Sequence, residues 1–432
     1  MHLAVRAYVL IVATALLAIM GVWSEQPGFQ DAWLWPAALL LAGLALEGYM
    51  TRRAVIRADV EFPGALFLGR EQPAAFAFHS EFGRDIELEY APAMPVGFEP
   101  LHDTRKLTVP ARGAGRDPFV LLPVRLGASV WPELPARVCG VLGLAWWPRT
   151  LQPSRKVSVA PDTAKVDRVR PRGTASGTRP RRTAGAGSEL HQLRAYVRGD
   201  PLARVDWKAT ARTGRLITRE FSEDQHLDVL IAIDAGRFSR IRAGRLDRFG
   251  LYANIAARFA EVATPNDDRV GLVVYSDRPL AVCVPDRGLH AVMRIRKTLE
   301  QLTVQPAESD AVSAAIRINS LLKHRSLVVL LTDLDDAAVA DQLARAVRLL
   351  SPPHLVVVAG VHSPDIGDLI RREADSWRDP WVALAAQDHE NRAAAQRVLL
   401  RRLGAPVIAA RENVLEEAVL TEYEKLRRAR RI

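Results

Sequence analysis

SELHQLRAYVRGDPLARVDWKATARTGRLITREFSEDQHLDVLIAID, residues 188–234, decides how the rest of this chain is read. Its first part interleaves charged, aromatic and glycine residues too densely for an amphipathic helix. Its end, LDVLIAID, is a short continuous apolar run closed by a carboxylate, the pattern of a central parallel strand buried on both faces. RVGLVVYS (residues 269–276) and LVVLLTD (residues 327–333) repeat that pattern, the second again ending in Asp, and PLAVCV can pair with the first as a hairpin. Helical periodicity fills the gaps at residues 246–263, 290–302, 310–324 and 337–350, with Leu251, Ile255, Phe259 and Val262 on one face of the first. A strand at 354–361, a helix at 380–403, a strand at 406–409 and a helix at 413–430 complete the alternation. This predicts a doubly wound α/β domain with right-handed crossovers over residues 188–432.

Ligands of such sheets bind beyond the carboxyl ends of the strands, where Asp234 and Asp333 sit. The arrangement resembles a von Willebrand factor A-type domain, whose metal site uses Asp-x-Ser-x-Ser, a Thr from a second loop and a later Asp. The resemblance places Asp234, Gly236 and Phe238 on the first motif, Ser309 on the second-loop position and Asp333 on the later acid. Mg²⁺ demands near-octahedral oxygen ligation, and Gly236 and Phe238 supply no side-chain oxygen. The expectation is a vestigial metal site and no cofactor, with Mg²⁺ as the ion to test.

Upstream, residues 7–23 carry no charge, and a second apolar run, residues 32–46, follows after the short connection SEQPGFQD. Arg6 precedes the first run, and Arg52, Arg53 and Arg57 follow the second. Runs of this length predict a transmembrane helix hairpin over residues 1–53, with both ends and the soluble mass on the cytoplasmic face of the plasma (inner) membrane. A cleaved signal peptide fits less well, because one Arg makes a weak leader and a second apolar run comes at once. Residues 54–161 alternate in short runs such as AAFAFHS, DIELEYA and RKLTVPA, separated by Pro and Gly, which predicts a small β-sandwich-like segment. Within it, Trp146 and Trp147 read as core packing at a strand end, with an exposed aromatic patch as the alternative. Residues 162–187 turn abruptly basic with Arg168, Arg170, Arg172, Arg179, Arg181 and Arg182, which reads as a solvated, flexible linker, with contact to anionic lipid as the alternative. A net charge of +10 also raises nucleic acid as a partner, but no stacking aromatics or groove-reading helix accompany it, so none is expected. Cys139 and Cys283 read as buried thiols without a disulfide framework.

The opening segment resembles the signature of the domain of unknown function 58 family. The matching positions are Glu189, Leu193, Arg194, Tyr196, Gly199, Asp200, Arg204, Asp206, Trp207, Lys208, Ala211, Arg212, Leu216, Arg219, Glu220 and Phe221. Pro201 stands where a second acid is frequent in that family, and Val205 replaces Ile. The resemblance implies a membrane-anchored partner of a MoxR-type AAA+ ATPase, with other membrane proteins nearby; it carries no catalytic residue. From the residues themselves, Arg194, Arg198, Arg204, Arg212, Arg215 and Arg219 face Asp200, Asp206, Glu220, Glu223 and Asp224 as an ion-pair network, with Tyr196 and Trp207 half-buried. Such a segment reads either as a cap on the first strand or as a docking surface, since Arg, Tyr and Trp favour interface hot spots. Arg194, Tyr196, Asp200, Arg204, Asp206, Trp207, Lys208, Arg212, Arg219 and Glu220 are the docking candidates. No phosphate-binding loop, nucleophile elbow or zinc-binding His-Glu-x-x-His helix occurs, and the histidines are scattered, so the expectation is a non-catalytic interaction protein. A metal-dependent adhesion-type binder is the alternative.

Overall fold

The computed structural model describes residues 2–23, 27–153, 155–162, 184–185, 189–222, 227–334, 337–362 and 364–429. The basic linker, apart from Asp162, Ala184 and Gly185, lies outside them, as do Glu223 and Asp224. The chain forms two compact units.

The first unit comprises Met1–Asp162, Ser239–Asn254 and Arg296–Gln305. It opens with β1 (His2–Leu3), α1 (Val5–Trp23) and α2 (Leu34–Arg53). Both helices are long and apolar enough to cross a membrane, and most of their surface is left uncovered by protein. Ten further strands follow: β2 (Ile56–Glu61), β3 (Leu66–Phe67), β4 (Gln72–Ser80), β5 (Ile86–Tyr90), β6 (Arg105–Val109), β7 (Ala114–Leu121), β8 (Gly127–Val130), β9 (Leu134–Cys139), β10 (Ala145–Leu151) and β11 (Lys156–Ala160). They make sheets ordered β1-β10-β9-β5-β6, β2-β4-β7 and β3-β11-β8. The alternation read from the sequence is explained here. Phe76, Phe78, Leu88, Tyr90, Phe119, Leu121, Val138 and Val159 point inward from all three sheets into one core. Leu246, from the late stretch Ser239–Asn254, packs against that same core.

The apolar helices are built into this unit. Glu47, near the end of α2, has no exposed surface. Its carboxylate accepts the N–H groups of Leu142 and Leu144 at Oε1 (3.0 and 3.1 Å) and of Ala145 at Oε2 (3.1 Å). A buried carboxylate is tolerated because several amide donors replace its water. Gly140 makes the approach possible, since a Cβ there would lie 1.9 Å from the Glu47 carboxyl carbon. Arg149 donates to the carbonyls of Thr51, Arg52 and Ala54, satisfying oxygens left free at the helix end. Trp147 packs on Gly48, where a Cβ would come within 2.6 Å of its ring, while Trp146 stays half-buried beneath the Lys106 ammonium. At the other helix, Ala4 N–H donates to Leu144 O (2.8 Å) and β1 pairs with β10.

The second unit comprises Thr163–Phe238, Ile255–Ile295 and Pro306–Ile432. A small sheet holds β12 (Ala184–Gly185), β14 (Ile217–Ser222) and β13 (Glu189–Ala195) in that spatial order, with α3 (Trp207–Thr213) between β13 and β14 in the chain. The large sheet contains β15 (Asp228–Asp234), β16 (Arg269–Tyr275), β17 (Pro279–Asp286), β18 (Leu327–Leu331), β19 (Leu355–Val361) and β20 (Val407–Ala410). Its order is β17-β16-β15-β18-β19-β20, all neighbours parallel except the β16–β17 hairpin. Helices α4 (Arg248–Ala263) and α5 (Gly288–Glu300) each have one end among the residues of the first unit, and α6 (Ala311–Leu321), α7 (Ala337–Leu350), α8 (Pro364–Arg371), α9 (Asp379–Arg402) and α10 (Leu415–Arg428) belong wholly to the second. The chain is therefore a mixed α/β protein with two apolar N-terminal helices and several sheets.

Leu230, Ala232, Val328, Leu330, Val356 and Val358 form the core with Ala314, Ile318, Leu343 and Val347 from α6 and α7. At the start of β15, Asp268 accepts Leu227 N–H (3.0 Å), the Tyr423 hydroxyl and Arg427 Nε (3.2 Å), fastening α10 to the sheet. Helix α4 begins two residues later than its periodicity predicts, because Leu246 and Asp247 pair with Arg242 and Ala243 in a short hairpin. Helix α8 carries a run too short for periodicity to reveal. Cys283 is buried as expected, whereas Cys139, at the end of β9, is half-buried.

Candidate functional site

The segment of residues 193–220 folds from its own ion pairs. Arg194 forks onto Asp200, with Nη1 2.8 Å from Oδ2 and Nη2 2.9 Å from Oδ1, and its Nε reaches Glu220 Oε1 at 3.4 Å. Asp200 also accepts Val197 N–H (3.0 Å). The two Arg194 N–H groups and this amide hold its carboxyl below the usual carboxylate range. Gly199, at φ +114°, supplies the backbone conformation that swings Asp200 back onto Arg194. Asp206 caps α3 by accepting the N–H groups of Lys208 (3.0 Å) and Ala209 (2.9 Å), and Gly214, at φ +67°, closes it in the left-handed region. Arg219 Nε lies 4.0 Å from Asp206 Oδ2.

The network is smaller than the charge pattern predicts. Arg198, Arg212 and Arg215 have no carboxylate partner among the described residues, because the acids are spent on Arg194, on Arg219 and on the helix cap. Tyr196 is half-buried and Arg204 partly buried, and Lys208 and Arg212 are exposed. Trp207 departs from the expectation of half burial: it is 65% exposed, since α3 buries no side chain. Leu193, Val197, Leu202 and Leu216 are exposed with it. Val205 and Thr218 are buried where the turn bridges onto β14. The signature sheet does not pair with the large sheet among the described residues.

The second candidate lies at the carboxyl ends of β15 and β18. Asp234 is buried, and Ser309 from a distant loop donates its hydroxyl to Oδ1. Gly236 N–H donates to the same oxygen at 2.9 Å, and Thr332 Oγ1 to Oδ2 at 2.9 Å. Burial raises the Asp234 carboxyl above its usual range, opposed by these three donors and reinforced by the charge of nearby Asp333. The structure thus brings together Asp234, Ser309 and Asp333 and adds Thr332, whose place beside Asp333 in LLTD was the available signal.

These residues do not fit Mg²⁺. A Cβ at position 236 would lie 2.1 Å from Ser309 Oγ, so the Ser309 hydroxyl fills the space a residue-236 side chain would need. Three hydrogen bonds, two at Oδ1 and one at Oδ2, take up most of the roughly four acceptor sites of the Asp234 carboxylate, sites that a metal would have to share. The Phe238 ring is covered by the Arg237 guanidinium at 4.6 Å. Among the described residues no group of three His, Cys, Asp or Glu side chains is placed to hold a metal.

Comparison with known proteins gives three findings. Residues 192–376 match the family described as Protein of unknown function DUF58. An uncharacterized protein of Mycobacterium tuberculosis, Rv1480, is 23% identical over 244 residues, which are 53% of this chain and 76% of its own length. Among solved structures, the conserved hypothetical protein BatB from Bacteroides thetaiotaomicron covers 46% of this chain and 98% of its own at 12% identity and a TM-score of 0.32. An aerotolerance-related membrane protein from Bacteroides fragilis covers 41% of this chain and 98% of its own at 14% identity and a TM-score of 0.27.

Proposed function

We propose that this chain is a membrane-anchored, non-catalytic interaction protein that docks a partner on the outer surface of residues 193–216. One observation carries the reading. The segment spends its carboxylates inward on Arg194, Arg219 and the α3 cap, and turns Trp207, Leu202, Val197 and the unpaired Lys208 and Arg212 outward. Exposed apolar side chains ringed by cations are the composition of an interface hot spot, not of a solvated cap. The partner inferred from the family resemblance is a MoxR-type AAA+ ATPase. The strand order of the large sheet supports a von Willebrand factor A-like reading of the second unit. The internally satisfied Asp234 disfavours the alternative of a metal-dependent adhesion-type binder. Arg52 and Arg53 at the end of α2 support a cytoplasmic orientation for the soluble units.

The test uses the full chain in lipid nanodiscs and a purified MoxR-type ATPase under ATP and under ADP. Trp207→Ala with Leu202→Ala should weaken binding at least tenfold, about 1.4 kcal/mol, and leave the melting temperature in place. Equal binding by the folded double variant would sink the docking surface.

A further inference from the structure

Four arginines of the first unit converge on one small cavity that the docking function does not use. The cavity has a volume of about 250 Å³ and is lined by Gly97, Phe98, Val124, Arg125, Arg240, Arg242, Arg245, Leu246 and Asp247. Its walls are set by backbone geometry. Gly97, at φ +95°, accepts the N–H groups of Val124 (2.7 Å) and Arg125 (3.1 Å), and a Cβ on it would press to 3.1 Å of Arg125 Cβ. Opposite, the hairpin of Arg242–Ala243 and Leu246–Asp247 turns through Gly244 at φ +64° and is pinned by Leu246 in the β-rich core. Arg240 is steadied by Val304 O at 3.0 Å.

The charges do not balance. Arg245 is matched by Glu71 at 2.5 Å. Asp247 is the only acid in the lining; it is partly buried, and one of its oxygens accepts Gly250 N–H at 2.7 Å. Arg125 and Arg242 form no ion pair among the described residues. Four guanidinium groups against Asp247, Glu71 and Glu99, the last two acting on Arg245, leave about one positive charge around a cavity slightly below the roughly 300 Å³ at which drug-sized pockets begin. Like charges held together raise the free energy of the folded state unless an anion joins them. Planar guanidinium forks suit the oxygens of a phosphate better than an ammonium would. Phe98, Val124 and Leu246 add an apolar wall for a small organic group.

We propose that this cavity binds a doubly charged phosphomonoester, with its phosphate held by Arg125, Arg240 and Arg242. Such a group comes either from a small soluble metabolite or from the headgroup of phosphatidic acid, and the same side chains read both.

The experiment titrates the full chain in neutral-lipid nanodiscs with inorganic phosphate and glycerol phosphate, following heat and melting temperature. A parallel set of nanodiscs contains phosphatidic acid or, as the diester control, phosphatidylglycerol. Arg125→Gln and Arg242→Gln should each weaken binding about tenfold or more, while Asp247→Asn, which removes the opposing charge, should tighten it severalfold. A saturable response to glycerol phosphate assigns a soluble ligand. A melting shift with phosphatidic acid but not with phosphatidylglycerol or free phosphate assigns the lipid. Absence of both responses, or responses unchanged in Arg125→Gln and Arg242→Gln, overturns the site.

Discussion

The two sheets of the second unit use their apolar residues in opposite ways. Every residue of β15 from Val229 to Asp234 is buried, and β16, β18 and β19 are buried nearly as completely. In the signature segment, Leu193, Val197, Leu202, Trp207 and Leu216 remain exposed, and the Arg194–Asp200–Glu220 cluster holds β13, its turn and β14 together. Hydrophobic burial therefore carries the stability of the large sheet, whereas local electrostatics shape the small one and leave its apolar surface available.

The comparison can be broken most sharply by truncation. Leu330→Ala in β18 should cost about 2–5 kcal/mol, because a buried core side chain leaves a cavity. Trp207→Ala should change stability by less than about 0.5 kcal/mol. Denaturant melts of the two variants read the difference directly, and comparable losses would show the small sheet to be part of the core.

Next in size is the buried carboxylate. Asp234→Ala strips the acceptor from Ser309, Thr332 and Gly236 and should cost about 1–3 kcal/mol, whereas Asp234→Asn keeps an acceptor oxygen and should lose less. Burial raises this group's pKa, so it favours the folded state below the ordinary Asp value, and that contribution is lost as pH rises through the folded value. The melting temperature of wild type relative to Asp234→Asn should therefore fall with rising pH. A flat difference would contradict the burial.

Asp200 has the opposite sign. Its pKa is lowered by Arg194, so its contribution is present above the ordinary Asp value and lost as pH falls through the lowered one. Amide protection in β13 and β14, followed by hydrogen exchange, should drop in acid in wild type. In Arg194→Gln it should be low already at neutral pH. The smallest expected effect is that of Mg²⁺, which should leave the melting temperature unmoved. A saturable rise abolished by Asp234→Ala would restore a metal site.

Much of the architecture was legible because it is written in local periodicity. LDVLIAID, RVGLVVYS and LVVLLTD are apolar in every register, and a strand buried on both faces admits no other pattern. The two apolar N-terminal runs and the alternation before residue 161 were readable for the same reason. Other features arise between residues far apart in the chain. Ser309 meets Asp234 across 75 positions, and its hydroxyl occupies the space beside Gly236 that a side chain there would need. Glu47 reads as a charge ending an apolar run, yet the backbone of residues 142–145 makes it a buried anchor. Arg125 and Arg240 belong to separate stretches and share a cavity only after folding. Side-chain periodicity encodes which face of an element turns inward; which groups then meet depends on how the elements pack, and that assigned Trp207 to solvent and Glu47 to the interior.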